Sequence, residues 1–245
     1  MAIVALRVWR ATAELGWFNG DEPENPRQWP SWSRFGDSRS ARLLVVPARG
    51  LELQGSLAHV ESPEHRQGAA LDHRMWNVSA RLARPVGRGA LYAMGEWAHT
   101  DEEGVYQYRS ALAEAQYALG RHRPYLRFER TDRPEEPRLF ADPFRSVRPH
   151  NENSNLGITR WTSALAGYGF SVTRPLARLR AEAVAEAAHL RVIVVTGAFL
   201  DPAAFYGRND LWLLSVGFRI GAFEPLHRMG RYGVAADQAA HHDYH

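Results

Sequence analysis

Apolar and polar residues alternate with a period of two along most of this 245-residue chain. Such alternation is typical of β-strands that have one apolar and one polar face. The clearest example sets Trp212, Leu214 and Val216 against Ser215 and Gly217. The pattern predicts ten strands, at residues 3–18, 37–46, 51–60, 72–84, 90–99, 105–118, 123–132, 155–172, 178–192 and 211–223.

The connections between these strands alternate in length. Tight turns are predicted at 47–50, 85–89, 120–123 and 173–176, and long loops at 19–36, 61–71, 133–154 and 193–209, with a shorter one on the same side at 100–104. Transmembrane β-barrels have short turns on one side of the membrane and long loops on the other. The sequence therefore predicts an all-β, antiparallel up-and-down transmembrane β-barrel with about ten strands in this chain, spanning residues 1–223 and followed by a polar tail, 224–245.

One segment fits a second interpretation. Residues 179–189 are rich in Ala, Glu, Leu and Arg, which are good helix formers, so a helix competes with the ninth strand there.

Charged residues of both signs fall on the polar parity of the predicted strands. In a narrow lumen they must pair with each other or with trapped water, because an isolated charge there is costly. A static salt-bridge lattice is favoured if these strands complete the barrel, and a polar pore for small solutes if further strands widen it. The predicted lumen lining comprises Arg10, Glu14, Arg42, Glu52, Arg81, Glu96, Glu114, Arg127, Glu129, Arg180, Glu182, Glu186 and Arg219.

Aromatic residues fall on the apolar parity near the strand ends, as expected of the two girdles that flank a barrel's apolar band. Trp17, Trp76, Trp97 and Trp212 are predicted at the long-loop end, and Tyr117, Tyr168 and Phe170 at the short-turn end.

Composition narrows the class further. The net charge is +3 and the pI about 9.4, but arginines are interleaved with glutamates and form no basic stripe, so we expect no nucleic-acid partner. The absence of cysteine excludes disulfides and thiolate metal sites. Mean hydropathy is −0.41, and no apolar stretch reaches the roughly 18 residues of a transmembrane helix.

No catalytic, cofactor or metal-binding motif stands out, and we predict no enzyme activity, cofactor or metal site. Two alternatives remain open. One is a soluble, lipocalin-like barrel, with the apolar parity inside. The other is a hydrolase at the outer rim, for which His99, Asp101, Asp132 and His150 are the candidate residues.

Four segments carry a family resemblance: residues 18–25 (FNGDEPEN), 37–43 (DSRSARL), 61–64 (ESPE) and 228–233 (RMGRYG). Together they resemble uncharacterised porin-like outer-membrane barrels of Gram-negative bacteria. The resemblance implies a bacterial outer-membrane location, the lipid bilayer as partner and passive transport of small polar solutes. The resemblance also implies a longer N-terminus with further strands, so that this chain would be the C-terminal part of a larger barrel. Residues 1–7 lack the features of a signal peptide, which fits a mature or truncated chain, a misassigned start or a protein that is not a membrane barrel.

Overall fold

The computed structural model describes residues 1–21, 29, 31–61, 71–135, 157–173, 179–197 and 201–222. These residues form one sheet of eleven antiparallel strands, in which each strand pairs with its neighbours in the sequence. The strands are β1 Ala2–Val8, β2 Ala11–Phe18, β3 Ser38–Ala48, β4 Leu51–Val60, β5 His73–Val86, β6 Gly89–Glu102, β7 Tyr106–Ala118, β8 His122–Glu135, β9 Gly157–Ser171, β10 Leu179–Thr196 and β11 Asp210–Ala222.

The predicted all-β, antiparallel up-and-down architecture is thus confirmed. The ambiguous segment is a strand, because β10 continues its pairing with both β9 and β11 across residues 182–191. Among the described residues, helical structure is limited to a 3₁₀ turn at Trp32–Arg34 and a short helix α1 at Pro202–Tyr206. Neither these nor any other helix in the described ranges has the length and apolar character that would let it cross a membrane.

The first predicted strand, 3–18, is wrong as a single strand: it is a hairpin of β1 and β2. The chain reverses at Trp9, which has a left-handed backbone with φ of 51°. Arg10, predicted in the charged lining, lies in this turn, and its Nη1 donates to the Pro47 carbonyl at 2.7 Å. Its guanidinium also lies 4.7 Å from the Trp9 ring centroid. The hairpin brings the number of strands to eleven rather than ten.

The long connections β2–β3, β4–β5, β8–β9 and β10–β11 all lie at one end of the sheet, which also holds the three-residue β6–β7 turn at 103–105. We call this the long-loop end and the opposite one the short-turn end. The two outermost strands, β1 and β11, are each paired on one side only within the described ranges. Both run from the long-loop end to the short-turn end, because ten successive reversals separate them.

The two faces of the sheet differ in exposure. On β2 the adjacent residues Glu14 and Leu15 are 7% and 49% exposed, and Leu57 on β4 is 63% exposed. The described residues contain no second layer, so a flat sheet would expose both faces alike. The sheet therefore curves around its polar side. We call that side the charged face, with Glu14, Arg42, Glu52, Arg81, Glu114 and Glu186, and the other side the apolar face, with Leu15, Leu43, Leu57, Val78 and Val216.

Candidate functional site

The charged face carries ion pairs that link neighbouring strands. Glu14 of β2 stands opposite Arg42 of β3, with Oε2 and Nη2 2.5 Å apart and side chains only 8% and 10% exposed. Glu52 of β4 likewise stands opposite Arg81 of β5, and Arg81 Nη2 donates to the Glu52 carboxylate. The Arg42 contact is ionic but poorly aligned, so its two terminal nitrogens lack a hydrogen-bond partner within the described residues.

A second cluster joins β6, β7 and β8. Arg127 lies 3.7 Å from Glu114 on β7 and 3.0 Å from Glu129 on its own strand. The Tyr92 hydroxyl on β6 donates to Glu114 at 3.1 Å. Glu114 therefore lies beside a positive charge and accepts a hydrogen bond from a neutral hydroxyl. These two contacts compensate the carboxylate for its lost contact with bulk water.

A third cluster joins β8, β10 and β11 around Glu186. Arg219 and Ser215 of β11 each donate to its carboxylate at 3.2 Å. The Tyr125 hydroxyl also donates to it from β8, two strands away. Tyr125 reaches across β9 because Gly167 lies opposite it, and a Cβ at Gly167 would overlap the tyrosine ring. Glycine thus provides the space in which the ring lies flat over the strand.

The remaining predicted lining residues vary in their surroundings. Glu182 pairs with Arg123 at 3.6 Å, and Arg123 was not among the predicted residues. Arg123 has the same parity as Tyr125 and Arg127 on β8, and this parity would have placed Arg123 on the charged face. Glu96 is half-buried and has no charged or hydrogen-bonded partner in the described part of the chain. The backbone of Arg180 pairs with Gly221 of β11, and the Arg180 side chain is outside the described part of the structure.

A buried polar cluster at the long-loop end was not predicted. Glu135, 2% exposed, accepts hydrogen bonds from the hydroxyls of Thr159 at 2.5 Å and Tyr206 at 2.6 Å. Trp161 donates to Thr159 at 3.1 Å and packs edge-on against Tyr206, with ring centroids 4.9 Å apart. Asp201 caps α1 by accepting from the Ala203 amide at 2.9 Å. Together these contacts hold part of the β10–β11 connection against β8 and β9.

A second polar cluster fixes the chain where it enters β3. Asp37 accepts from the Gly20 amide at 2.9 Å, the Arg34 Nε at 2.8 Å and the Ser38 hydroxyl at 2.9 Å. Burial acts to raise the pKa of Asp37, but these three hydrogen bonds and the Arg34 charge together hold it below its ordinary value. Asp37 therefore stays ionised at neutral pH and holds the connection between β2 and β3 in place.

The predicted tryptophans lie on the apolar face toward the long-loop end. Trp76 and Trp97 contact each other, with ring centroids 4.0 Å apart, and His99 stacks on Trp97 at 6.0 Å. Trp212 contacts His189 at 4.7 Å. Trp17 lies opposite Arg39 and is 40% exposed.

At the short-turn end the other three aromatic residues have polar contacts near the turns. The Tyr117 hydroxyl donates to the Val86 carbonyl at 2.9 Å. Tyr168 hydrogen-bonds to the His122 ring, and Phe170 packs edge-on against the same ring at 5.4 Å. Each tyrosine thus has its hydroxyl engaged while its ring borders the apolar face.

The residues considered for a rim hydrolase have other partners. Asp132 forms a bidentate pair with Arg160 at 2.5 and 2.9 Å, and Asp101 accepts from the Gly104 amide at 2.8 Å. His99 packs on the tryptophans, and His150 lies outside the described residues. Within the described ranges, no group of three or more His, Asp or Glu residues is placed to hold a metal ion.

In chemical terms, the charged face presents fixed carboxylates and guanidinium groups to whatever occupies the concave side of the sheet. No protein-family model matches the chain, and no curated protein or solved structure matches it.

Proposed function

We propose that the chain forms the wall of a membrane-spanning β-barrel of porin-like type, with its apolar face toward lipid and its charged face toward the lumen. The observation that carries this proposal is the inversion of the sheet. Charged side chains lie on the concave, less exposed side, whereas large apolar side chains lie on the convex, open side.

The energetic argument follows from the size of the exposed apolar surface. Leu214, Val216 and Phe218 on β11 are 82%, 88% and 74% exposed. Leaving one such side chain in water rather than in an apolar medium costs about 1.5–3 kcal/mol. Over the middle of the strands the same parity is apolar from one strand to the next, which makes lipid the medium that fits the convex side.

The ion pairs between strands support a static salt-bridge lattice over most of the charged face. Glu14, Glu52, Glu114 and Glu186 each contact an arginine on a neighbouring strand. Glu96 is the exception, and in a water-filled lumen its carboxylate would attract cations. We therefore propose a largely structural lining whose free carboxylate favours small cationic or polar solutes.

A soluble, lipocalin-like barrel remains the alternative, and it requires the opposite curvature. Its interior would hold the leucine and tryptophan side chains, and its ion pairs would face water. The low exposure of Glu14 and Arg42 argues against it. The outer-membrane location follows the resemblance to porin-like proteins and the gathering of long connections at one end.

The proposal is tested by transfer into lipid vesicles. We expect the chain, refolded in detergent and diluted into vesicles, to float with them and to resist extraction at high salt. Conductance across planar bilayers then separates an open lumen from a filled one. A chain that stays in the aqueous phase without detergent, folded and monomeric, would exclude the membrane assignment.

A further inference from the structure

Five arginines stand on the apolar-face side of the sheet toward the long-loop end: Arg39, Arg74, Arg109, Arg130 and Arg191. All five are exposed, and each has the parity of the apolar side chains on its strand. They lie on β3, β5, β7, β8 and β10, so they follow most of the width of the sheet. We call this set the arginine collar.

The register places Arg74, Arg109 and Arg191 on the long-loop side of the tryptophans, whereas Arg39 stands opposite Trp17 at the same level. Arg74 precedes Trp76 by two residues on β5. Arg109 stands opposite His99, which is two residues beyond Trp97 in the direction of the long-loop end.

The same relation holds at the far side of the sheet. Arg191 lies two residues beyond His189, and His189 stands opposite Trp212. These three arginines and the tryptophans therefore form two adjacent levels on one surface, with apolar side chains on the other side of the tryptophans.

The collar guanidinium groups have no ion pair or hydrogen bond within the described part of the chain. The carboxylates at this end have other partners. Asp72 lies 3.6 Å from His59, Asp210 lies 3.3 Å from His189, and Asp132 binds Arg160. Asp101 accepts the Gly104 amide. Asp101 and Asp210 stand opposite Arg74 and Arg191 in the register, but neither carboxylate forms an ion pair with the collar, so its guanidinium groups are open to an external anion.

We propose that the arginine collar binds the phosphate groups of anionic lipids in the leaflet at the long-loop end. This inference rests on the proposed membrane function. Aromatic girdles mark the headgroup level of a bilayer, and a guanidinium just beyond that level meets the lipid phosphates. Each arginine close to an anionic membrane surface contributes an attraction equivalent to about a fivefold preference.

The test uses tryptophan quenching by lipids with brominated chains. Of the eight tryptophans, Trp9 alone lies at the short-turn end, so a Trp9→Phe background reports on the long-loop leaflet only. Brominated phosphatidylglycerol is compared with brominated phosphatidylcholine in vesicles at low and high salt. We expect the background protein to prefer the anionic lipid by about three- to fivefold, with the preference decreasing as salt rises.

Two triple variants provide the contrast. R74Q/R109Q/R191Q removes three collar charges, and we expect the preference to fall toward one. R84Q/R88Q/R121Q removes three exposed arginines of the short-turn end, and we expect no change at the reporters. Arg109→Gln alone is measured as well, so that a folding defect of the triple variant leaves the comparison intact.

The outcomes separate the two proposals. Equal quenching by both lipids in the background protein, or an unchanged preference in the collar variants, overturns the collar while the membrane assignment stands. No quenching by either lipid overturns the membrane assignment itself.

Discussion

Arginines occupy both faces of this sheet, but their surroundings are opposite. On the charged face, Arg42, Arg81 and Arg219 each contact a glutamate on an adjacent strand. On the apolar face, Arg74 and Arg109 extend into open space without a carboxylate partner. The same residue type thus closes a network on the concave side and remains available for an external anion on the convex side.

In the proposed barrel, the medium that each face meets explains this difference. A guanidinium on the concave side is shielded from bulk water, and a neighbouring carboxylate compensates for the lost hydration. A guanidinium at the edge of the convex side would keep access to water and lipid headgroups, so it would need no internal partner. Three substitutions test how far the two faces differ, and a fourth tests the connection between β2 and β3.

The largest effect is expected from breaking one pair on the charged face. Glu52→Leu leaves the Arg81 guanidinium without its carboxylate, and we expect a loss of about 3–5 kcal/mol in the free energy of unfolding. E52L/R81M, which removes both charges, recovers most of it. Denaturant titration in vesicles measures both. A loss below about 1 kcal/mol would indicate a solvated lumen rather than a closed lattice.

A new charge on the apolar face is expected to have the next largest effect. Val78→Arg places a guanidinium in the middle of β5 on the convex side, and we expect a cost of about 2–4 kcal/mol in a bilayer. Ser79→Arg, one residue along on the charged face, is the matched control and is expected to cost less, because it stands opposite Glu96. If Val78→Arg is neutral in vesicles, the convex side does not meet lipid.

A methyl group under Tyr125 is expected to have a moderate effect. Gly167→Ala forces the tyrosine ring off β9 and weakens its hydrogen bond to Glu186, and we expect a loss of about 1–3 kcal/mol. Gly217→Ala is the control, because a Cβ there meets no atom within 4 Å. Thermal unfolding followed by near-ultraviolet circular dichroism measures both. Equal midpoints for the two variants would contradict the packing of Tyr125 over the glycine.

The smallest effect is a local response to acid. Because the pKa of Asp37 is lowered on folding, its contribution to stability is present above its ordinary pKa of about 3.9 and is lost as pH falls through the lower folded value. The Gly20 amide resonance, which reports the hydrogen bond to Asp37, should shift with a midpoint below 3.8. Asp37→Asn should abolish that titration. A midpoint at or above 3.8 would contradict the network around Asp37.

Period-two patterning was enough to predict which side chains share a face, because a strand's parity is independent of its partners. It also contained the signal for the hairpin that was missed. Val4, Leu6 and Val8 have even parity, whereas Leu15 and Trp17 on the same face have odd parity. A two-residue turn produces such a switch, but a tryptophan in a left-handed turn carries no turn signature.

The partners of each charge could not be predicted from the same pattern. Whether Glu52 faces Arg81 depends on the register between β4 and β5, and the long connection between these strands leaves the register open. The hydrogen-bond partners of Glu135 could not be predicted for a similar reason. Tyr206 lies 71 residues from Glu135, in a connection with no periodic pattern.

The odd number of strands in the described ranges has a consequence for how the proposed barrel is completed. Since β1 and β11 run in the same direction, a seam formed directly between them would be a parallel ladder, with slanted hydrogen bonds and weaker pairing per residue. In a bilayer each unpaired backbone group on these two edges would cost several kcal/mol, so a spanning sheet cannot keep them open. One strand running in the opposite direction is the smallest addition that joins both edges through antiparallel ladders only, and it would give a twelve-stranded ring.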